Sequence, residues 1–359
     1  MLLFLGGAAA LWTLGWIMKT PMQARWITIA LLYVGILMAL VILPEGAPLR
    51  LVLGGTLGQW LVVGGLVGVI LLYSAGLKAL RKRVRPENQA GAADWEPGKR
   101  TDMDPNAPLT ENELDRYMRQ LILREVGGAG QRKLKASRVL VVGAGGLGSP
   151  VLQYLAAAGV GTIGVIDDDV VDISNLHRQV VHNEDRLGMP KVFSAQQALH
   201  DLNPYVVVRP YNRRLTDEIA QDLVADHDLV LDGTDNFDTR YLVNRACVAT
   251  GVPLLSGAIT QWEGQLSLFD PSKGAPCYQC IFPEAPADGL APTCAEAGVI
   301  GPLPGVVGSM MAVEAIKYLS GAGETPLGQM VIYDGLFGES RKIRLKPREG
   351  CPVCGYTRG

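Results

Sequence analysis

Charge is what this sequence has least of where it begins: residues 1–77 of the 359 carry only Lys19, Arg25, Glu45 and Arg50 as charged side chains. No basic residue precedes the first apolar run, which makes it a poor secretory signal. No charge pair lies inside the apolar runs, so they read as an anchor and not as a transport pathway. Charged residues are only 19% of the whole chain, against 48% hydrophobic residues, and the mean hydropathy of +0.18 is high for a wholly soluble enzyme. Disorder and collagen-like repeats are excluded by the same composition. The charge that is present is segregated. Through residue 85, eight Lys or Arg stand against one Glu, a balance of +7; with −2 for the whole chain, the rest carries about −9. That acidic body lacks the clustered Lys and Arg that phosphate backbones require, so nucleic acid is not the expected partner.

Three apolar runs, 1–18, 26–43 and 51–77, each approach the roughly 20 residues that cross a hydrocarbon core as a helix. Lys19 and Arg25 lie between the first two runs, and Lys78, Arg81, Lys82, Arg83 and Arg85 follow the third. The positive-inside rule places both sets in the cytoplasm, with the N-terminus outside. The expectation is a three-span transmembrane anchor over 1–83, inserted through residues 1–77 as a multi-pass segment of the inner (cytoplasmic) membrane. The catalytic body then faces the cytoplasm. Gly54-x-x-x-Gly58 and Gly64-x-x-x-Gly68 have the spacing of close helix pairing, which 43 glycines also produce by chance. Pro86, Pro97, Pro105 and Pro108 among polar residues mark 84–108 as a linker.

From residue 109 to 359 the pattern becomes alternating strands and helices. A buried-strand run over 138–143 leads into Gly143, Gly145 and Gly148, then a helical stretch over 150–158 and a second strand over 162–167. Strand, G-x-G-x-x-G, helix, strand and terminal Asp form the nucleotide-binding βαβ signature. The glycines allow a tight turn and let backbone N–H groups approach phosphate at a helix N-terminus. Asp167, 19 residues after Gly148, is placed to hold ribose hydroxyls. A helix opens at Pro190 with Val192, Ala195, Leu199 and Leu202 on one face, and 206–209, 228–232 and 252–256 read as further strands. The fold class is therefore α/β: a Rossmann-like, doubly wound, mainly parallel sheet covered by helices on both faces.

NAD and ATP both fit that motif. Ser174, Asn175, Leu176, His177, Arg178 and Gln179 follow Asp167, Lys191 opens the next helix, and Asp232 to Asn236 end a strand at the edge where doubly wound folds bind ligands. An acid beside a phosphate calls for a cation between them, making Asp235 a Mg²⁺ ligand candidate. Arg178 and Lys191 would neutralise charge developing on phosphates. Taken singly, surface salt bridges and a helix N-cap also account for these residues.

Six cysteines are present: Cys247, Cys277, Cys280, Cys294, Cys351 and Cys354. Two C-x-x-C pairs, Cys277 with Cys280 and Cys351 with Cys354, supply the four thiolates of a closed tetrahedral zinc site with no open position for catalysis. Redox cycling by one pair is the competing reading. Cys247 falls in a helical pattern as a small core residue.

Arg116-Tyr117-Met118-Arg119-Gln120, 143–149, Asp167-Asp168-Asp169, 174–179, 232–236, Cys277-Tyr278-Gln279-Cys280 and Cys351-Pro352-Val353-Cys354-Gly355 occur in this order. In them, the chain from about residue 109 to 355 resembles the MoeB/ThiF/HesA adenylyltransferases, bacterial relatives of the ubiquitin-activating enzymes. The resemblance leaves out the apolar N-terminal segment. It implies ATP with Mg²⁺ and a small β-grasp sulfur-carrier protein ending in Gly-Gly, whose carboxylate attacks the α-phosphate to give an acyl-adenylate and pyrophosphate. It matches Gly146, Asp167, Asn175, Arg178, Lys191, Asp235 and Asn236 to nucleotide or metal contacts, and Arg119 to an arginine given to the neighbouring subunit's site, which implies a homodimer. It agrees with structural Zn²⁺ on the two cysteine pairs. Cys294 aligns with a cysteine that, in ThiF-like members, is covalently linked to the carrier through sulfur; MoeB-like members do not clearly require it.

The molybdopterin-synthase small subunit is the first expected carrier and the thiamine-pathway carrier the second. The chain carries no rhodanese domain after its second C-x-x-C, so a separate sulfurtransferase is expected to supply sulfur. An NAD-dependent oxidoreductase and a catalytically silent membrane adaptor are the rival readings. The first leaves Arg119, Lys191, Asp235 and the cysteine pairs without roles. The second has no chemical need for Mg²⁺ and phosphate residues.

Overall fold

The computed structural model describes residues 2–84, apart from 19, 21 and 45, together with 108–285 and 297–355. The chain divides into two units, Met1–Ala90 and Gly91–Gly359. The linker expected over 84–108 lies, but for its end residues, outside the described residues.

The first unit is helical, with α1 (Leu2–Ile17), α2 (Met22–Ile42), α3 (Pro48–Leu53) and α4 (Leu57–Val84). Among the described residues only Ala24–Ile42 is long and apolar enough to cross a membrane, so the three expected spans reduce to one candidate. For α1 the physical reason is length, its 16 residues rising roughly 24 Å against a core of about 30 Å, while among the described residues Leu57–Val69 of α4 is a shorter apolar stretch. The glycine spacings also resolve differently. Gly54 ends α3 with φ 63°, so Gly54 and Gly58 do not share a helix face. At Gly64 a side chain would begin 2.1 Å from the Tyr33 hydroxyl, so this glycine admits Tyr33 of α2, whose hydroxyl donates to the Trp60 carbonyl.

The second unit carries eight strands in one sheet, in the order β3-β2-β1-β4-β5-β6-β7-β8. They are β1 (Arg138–Val142), β2 (Thr162–Ile166), β3 (Val207–Tyr211), β4 (Leu229–Asp232), β5 (Leu254–Ile259), β6 (Glu263–Phe269), β7 (Gln329–Asp334) and β8 (Glu339–Arg344). The first five are parallel, as expected; β6, β7 and β8 add antiparallel pairings, so the sheet is mixed. The helices of this unit are α5 (Glu111–Leu121), α6 (Gly127–Ala136), α7 (Gly148–Ala158), α8 (Lys191–Leu202), α9 (Asp217–Ala225), α10 (Phe237–Thr250), the single turn α11 (Tyr278–Ile281) and α12 (Pro302–Ser320).

Alternation along β1 shows the double winding. Val139 and Val141 enter a core shared with α7, α8 and α12, whereas Leu140 and Val142 enter a second core shared with α9 and α10. Successive strand side chains point to opposite faces, and both faces are covered, so all of β1 is buried. In α8, Val192, Ala195 and Leu199 are fully buried as their spacing predicts, while Leu202 at the helix end is 40% exposed.

Candidate active site

The C-terminal ends of β1, β2 and β4 open into one cavity of about 420 Å³, within the size range of small-molecule sites. Gly143, Gly145, Gly146, Asp167, Asn175, Arg178, Lys191, Asp235 and Asn236 all line it. Sequence positions almost a hundred residues apart are thus brought together by the parallel strand order.

The glycine loop runs from β1 into the first turn of α7. Gly143 has φ 95°, a left-handed backbone that favours glycine, and a side chain on Gly148 would start 2.0 Å from the Gly143 carbonyl oxygen. This closeness aims the N-terminus of α7 at the cavity, where its N–H groups favour an anion. At the end of β2, Asp167 accepts hydrogen bonds from the N–H of Ala144 and of Asp169, both at 2.8 Å. Burial pushes its carboxyl up, against the lowering by the Lys191 ammonium and those two amides.

Lys191, the first residue of α8, is buried and donates to Asp169 at 2.8 Å. The Asp172 carboxylate caps the short turn Ile173–Asn175 through the Ser174 N–H at 2.8 Å, which presents Asn175 and Arg178. The Arg178 guanidinium donates to Asn175 Oδ1 at 2.6 Å. Ser174, Leu176 and His177 belong to this turn region without lining the cavity; the Ser174 carbonyl is 3.0 Å from His177 Nδ1. Asn236 caps α10 by accepting the Thr239 N–H at 3.0 Å, leaving its neighbour Asp235 exposed on the cavity rim.

Behind these groups lies a network that the sequence alone did not reveal. Asp232, fully buried at the end of β4, accepts from the Thr234 N–H at 3.0 Å and the Thr234 hydroxyl at 2.7 Å. Arg240, buried on α10, sits 3.8 Å from Asp232, donates to the Gly257 carbonyl at 2.8 Å and to Ser256 Oγ at 3.1 Å, and also donates to the Thr234 carbonyl. It therefore staples the 233–236 loop to β5. Arg213 and Arg214, just past β3, add positive charge to the cavity. A basic pair directly after a strand in an acidic body was the available signal for them.

The sequence profile of the ThiF family matches residues 117–353. The chain belongs to the ThiF family. It is 52% identical to a sulfur carrier protein adenylyltransferase of Thermus thermophilus over 250 residues, covering 68% of this chain and 92% of that one. It is 47% identical to the molybdopterin-synthase adenylyltransferase of Escherichia coli over 249 residues, 69% of this chain and 99% of that one. Among solved structures, E. coli MccB with AMPCPP and MccA shares the fold at a TM-score of 0.59 and 24% identity, over 69% of this chain and 75% of that one.

The remaining ThiF-family assignments fall elsewhere. Arg119 is exposed on α5 and does not line the cavity of its own chain. Cys294 lies outside the described residues. Cys277, Cys280, Cys351 and Cys354 converge, with sulfur separations of 3.8 Å (277 to 280), 3.7 Å (277 to 351) and 3.5 Å (280 to 354). Tetrahedral Zn–S bonds of about 2.3 Å separate sulfurs by about 3.8 Å, whereas a disulfide needs about 2.05 Å, so the cluster fits zinc. Burial pushes the Cys277 thiol up. Burial opposes ionisation of Cys351 too, yet the Cys354 and Val353 N–H groups and neighbouring thiols bring it down to about 7. Within the first pair, Tyr278 meets Tyr241 and Phe269 edge to face and lies tilted against Phe282, and its N–H donates to Asn244 Oδ1 of α10 at 2.9 Å. The cysteine cluster thereby braces the helix that carries Asn236 and Arg240.

Proposed function

We propose that this chain adenylylates the C-terminal glycine of a small β-grasp sulfur-carrier protein, with the molybdopterin-synthase small subunit favoured over the thiamine-pathway carrier. The observation that carries this reading is the single cavity uniting the glycine loop, Asp167, Asn175, Arg178, Lys191 and Asp235, in a domain about half identical to adenylyltransferases of such carriers. In the reaction, a carboxylate oxygen of the terminal glycine bonds to the α-phosphorus of ATP. The bond from that phosphorus to the bridging oxygen breaks, and pyrophosphate leaves with the electron pair. The nucleophile is already an anion, so no strong base is needed, and catalysis consists of positioning and charge neutralisation.

The loop N–H groups and the α7 N-terminus hold phosphate oxygens, and Asp167 holds ribose. Arg178, oriented by Asn175, and Lys191, oriented by Asp169, face the phosphates whose charge grows as pyrophosphate departs. Asp235 would hold Mg²⁺ through its hard carboxylate oxygens, a cation that offsets phosphate charge. The four clustered cysteines would hold a structural Zn²⁺. Arg119, exposed on α5, serves the site of a second copy in a homodimer. A separate sulfurtransferase supplies the sulfur that displaces AMP. An oxidoreductase would leave Arg178, Lys191 and Asp235 without work.

Membrane attachment belongs to the same reading. Only 11% of the Ala24–Ile42 window is buried within the protein, which suits lipid contact. Lys19 precedes this helix and Arg25 lies in its first turn, while Arg50 and the five basic residues over 78–85 follow it. The larger positive set stays in the cytoplasm, placing the catalytic domain on that side of the cytoplasmic membrane. ATP–pyrophosphate exchange by the detergent-solubilised full chain tests the function. Exchange that requires one carrier's terminal glycine is expected; MgATP binding without exchange for either carrier would overturn the reading.

A further inference from the structure

Packing within the helical unit fixes the depth at which α4 meets a bilayer. Tyr33 is the middle residue of Ala24–Ile42, the candidate span. Its hydroxyl donates to the Trp60 carbonyl, and Trp60 is buried with Ile36 and Leu40 of α2. Gly64 leaves room for the same tyrosine, so α4 lies against the middle of the span around Trp60 and Gly64. From Gly64 to Lys78 the helix runs fourteen residues, a rise of about 21 Å, whereas half a hydrocarbon core is about 15 Å. Position 78 therefore falls in the headgroup layer.

The sequence changes character at that position. Residues 57–77 carry no charge, and then Lys78, Arg81, Lys82, Arg83 and Arg85 fall within eight positions. No acidic residue occurs between Glu45 and Glu87 to offset them. The first four belong to α4, which continues to Val84. Lys78, Arg81 and Lys82 take i, i+3 and i+4 positions on one helix face, and Leu77, Leu80 and Val84 take i, i+3 and i+7 positions on another. Arg25 and Arg50 are engaged within the unit, donating to the Thr20 carbonyl at 2.8 Å and the Leu43 carbonyl at 2.9 Å. A helix C-terminus favours a cation or two in its last turn, and five within eight positions exceed that.

We infer that the basic end of α4 binds the headgroups of anionic phospholipids, of which phosphatidylglycerol is the type, in the leaflet on the catalytic side. This rests on the membrane attachment proposed above. A zwitterionic phosphocholine headgroup offers five uncompensated cations no net charge. A headgroup with a net negative charge attracts each of them, and the attraction grows with their number. The apolar positions 77, 80 and 84 beside the basic ones suit a helix end at the boundary between acyl chains and headgroups. A nucleic acid or an acidic protein would have to reach cations held at the bilayer surface, whereas lipid phosphate is already concentrated at that depth.

The test reconstitutes the full chain in phosphatidylcholine vesicles, with spin-labelled phosphatidylglycerol or spin-labelled phosphatidylcholine as the probe. Electron spin resonance reads the fraction of each label held by the protein. The phosphatidylglycerol label should associate about threefold more strongly at low salt, and the preference should fall toward one at about 1 M salt. Arg81→Gln with Lys82→Gln and Arg83→Gln should remove most of the preference, since glutamine keeps the helix propensity without the charge. Arg50→Gln should keep it. Equal association of both labels with the wild type, or an unchanged preference in the triple variant, would overturn the lipid site and leave the attachment standing. If the triple variant does not reconstitute, the wild type decides: a preference that salt does not weaken, or that inorganic phosphate abolishes, would overturn the lipid site. A wild type that alkaline carbonate strips from the vesicles would overturn the attachment and the lipid site together.

Discussion

His182 lies beneath the glycine loop with Nε2 2.9 Å from the carbonyl oxygen of Ala144. A carbonyl only accepts, so Nε2 carries the proton, and Nδ1, 2.8 Å from Ser194 Oγ, accepts from that hydroxyl. Ser194 belongs to α8, three residues after Lys191, so the imidazole fastens the loop to the helix that presents the phosphate-facing lysine. Burial, reinforced by the positive charges of Lys191 and Arg186 and opposed by the Ala144 carbonyl, brings His182 down to about 4. His227, buried under β2 and bonded to the Leu223 carbonyl, is also brought down to about 4 by burial.

Acid should therefore weaken the fold through these two histidines. Their folded values lie below the unfolded value near 6.5, so the unfolded chain binds more protons between the two. The stability they contribute is complete above pH 6.5 and is lost as pH falls toward 4, by roughly 3 kcal/mol for each histidine. Urea unfolding at pH 7 and pH 5 measures it. His182→Gln, which keeps an N–H donor for Ala144, should reduce the pH slope by about one proton; an unchanged slope would show that His182 titrates normally in the folded protein.

Arg240 should be worth more to stability than its 3.8 Å approach to Asp232 suggests. Replacing it with leucine leaves Asp232 buried without its cation and removes donors from the Thr234, Ser256 and Gly257 oxygens. A loss of about 3–5 kcal/mol is expected, measured by denaturant unfolding. Asp232→Asn with Arg240→Leu should recover part of that loss, because the stranded charge is then gone.

The cysteine cluster should contain about one zinc per purified chain, bound by four thiolates. Cys354→Ser should lower zinc content and the melting temperature together. Its sulfur lies 3.5 Å from Cys280 and closes the tetrahedron. The consequence reaches the active site through Tyr278 and α10, so chelation should also loosen the 233–236 loop, detectable as faster hydrogen exchange there. Metal-free protein of unchanged stability would refute the assignment.

The parallel half of the sheet and most of the cavity were legible because their signals are local. The apolar run Val139–Val142 of β1, three glycines at fixed spacing and an acid at the end of β2 lie within one βαβ unit. The antiparallel half was not legible. β8, Glu-Ser-Arg-Lys-Ile-Arg, is exposed along its whole length as an edge strand, so no buried face imposes an alternating pattern. Arg240 was missed for another reason. Its importance comes from the juxtaposition of α10 with the ends of β4 and β5, and nothing at position 240 announces that contact. Hydropathy overstated the membrane part, because apolar runs continue through Gly54 and Gly55 while the helix does not.

Arg119 supplies the last prediction, since its assignment to a neighbouring subunit differs in a measurable way from a role in its own chain. It is exposed on α5 and absent from the cavity lining, whereas Lys191 is buried and lines it. In a two-fold dimer whose sites each combine Lys191 of one copy with Arg119 of the other, Arg119→Ala and Lys191→Ala should each lose exchange activity as pure dimers. After subunits are mixed equally and allowed to reassort, half the dimers carry both variants. In each of these, one site draws its wild-type lysine from the Arg119→Ala copy and its wild-type arginine from the Lys191→Ala copy. One site of two is intact in half the molecules, so activity should recover to about a quarter of the wild-type value. If Arg119 served its own chain, every site in the mixture would lack one of the two groups and no activity would return.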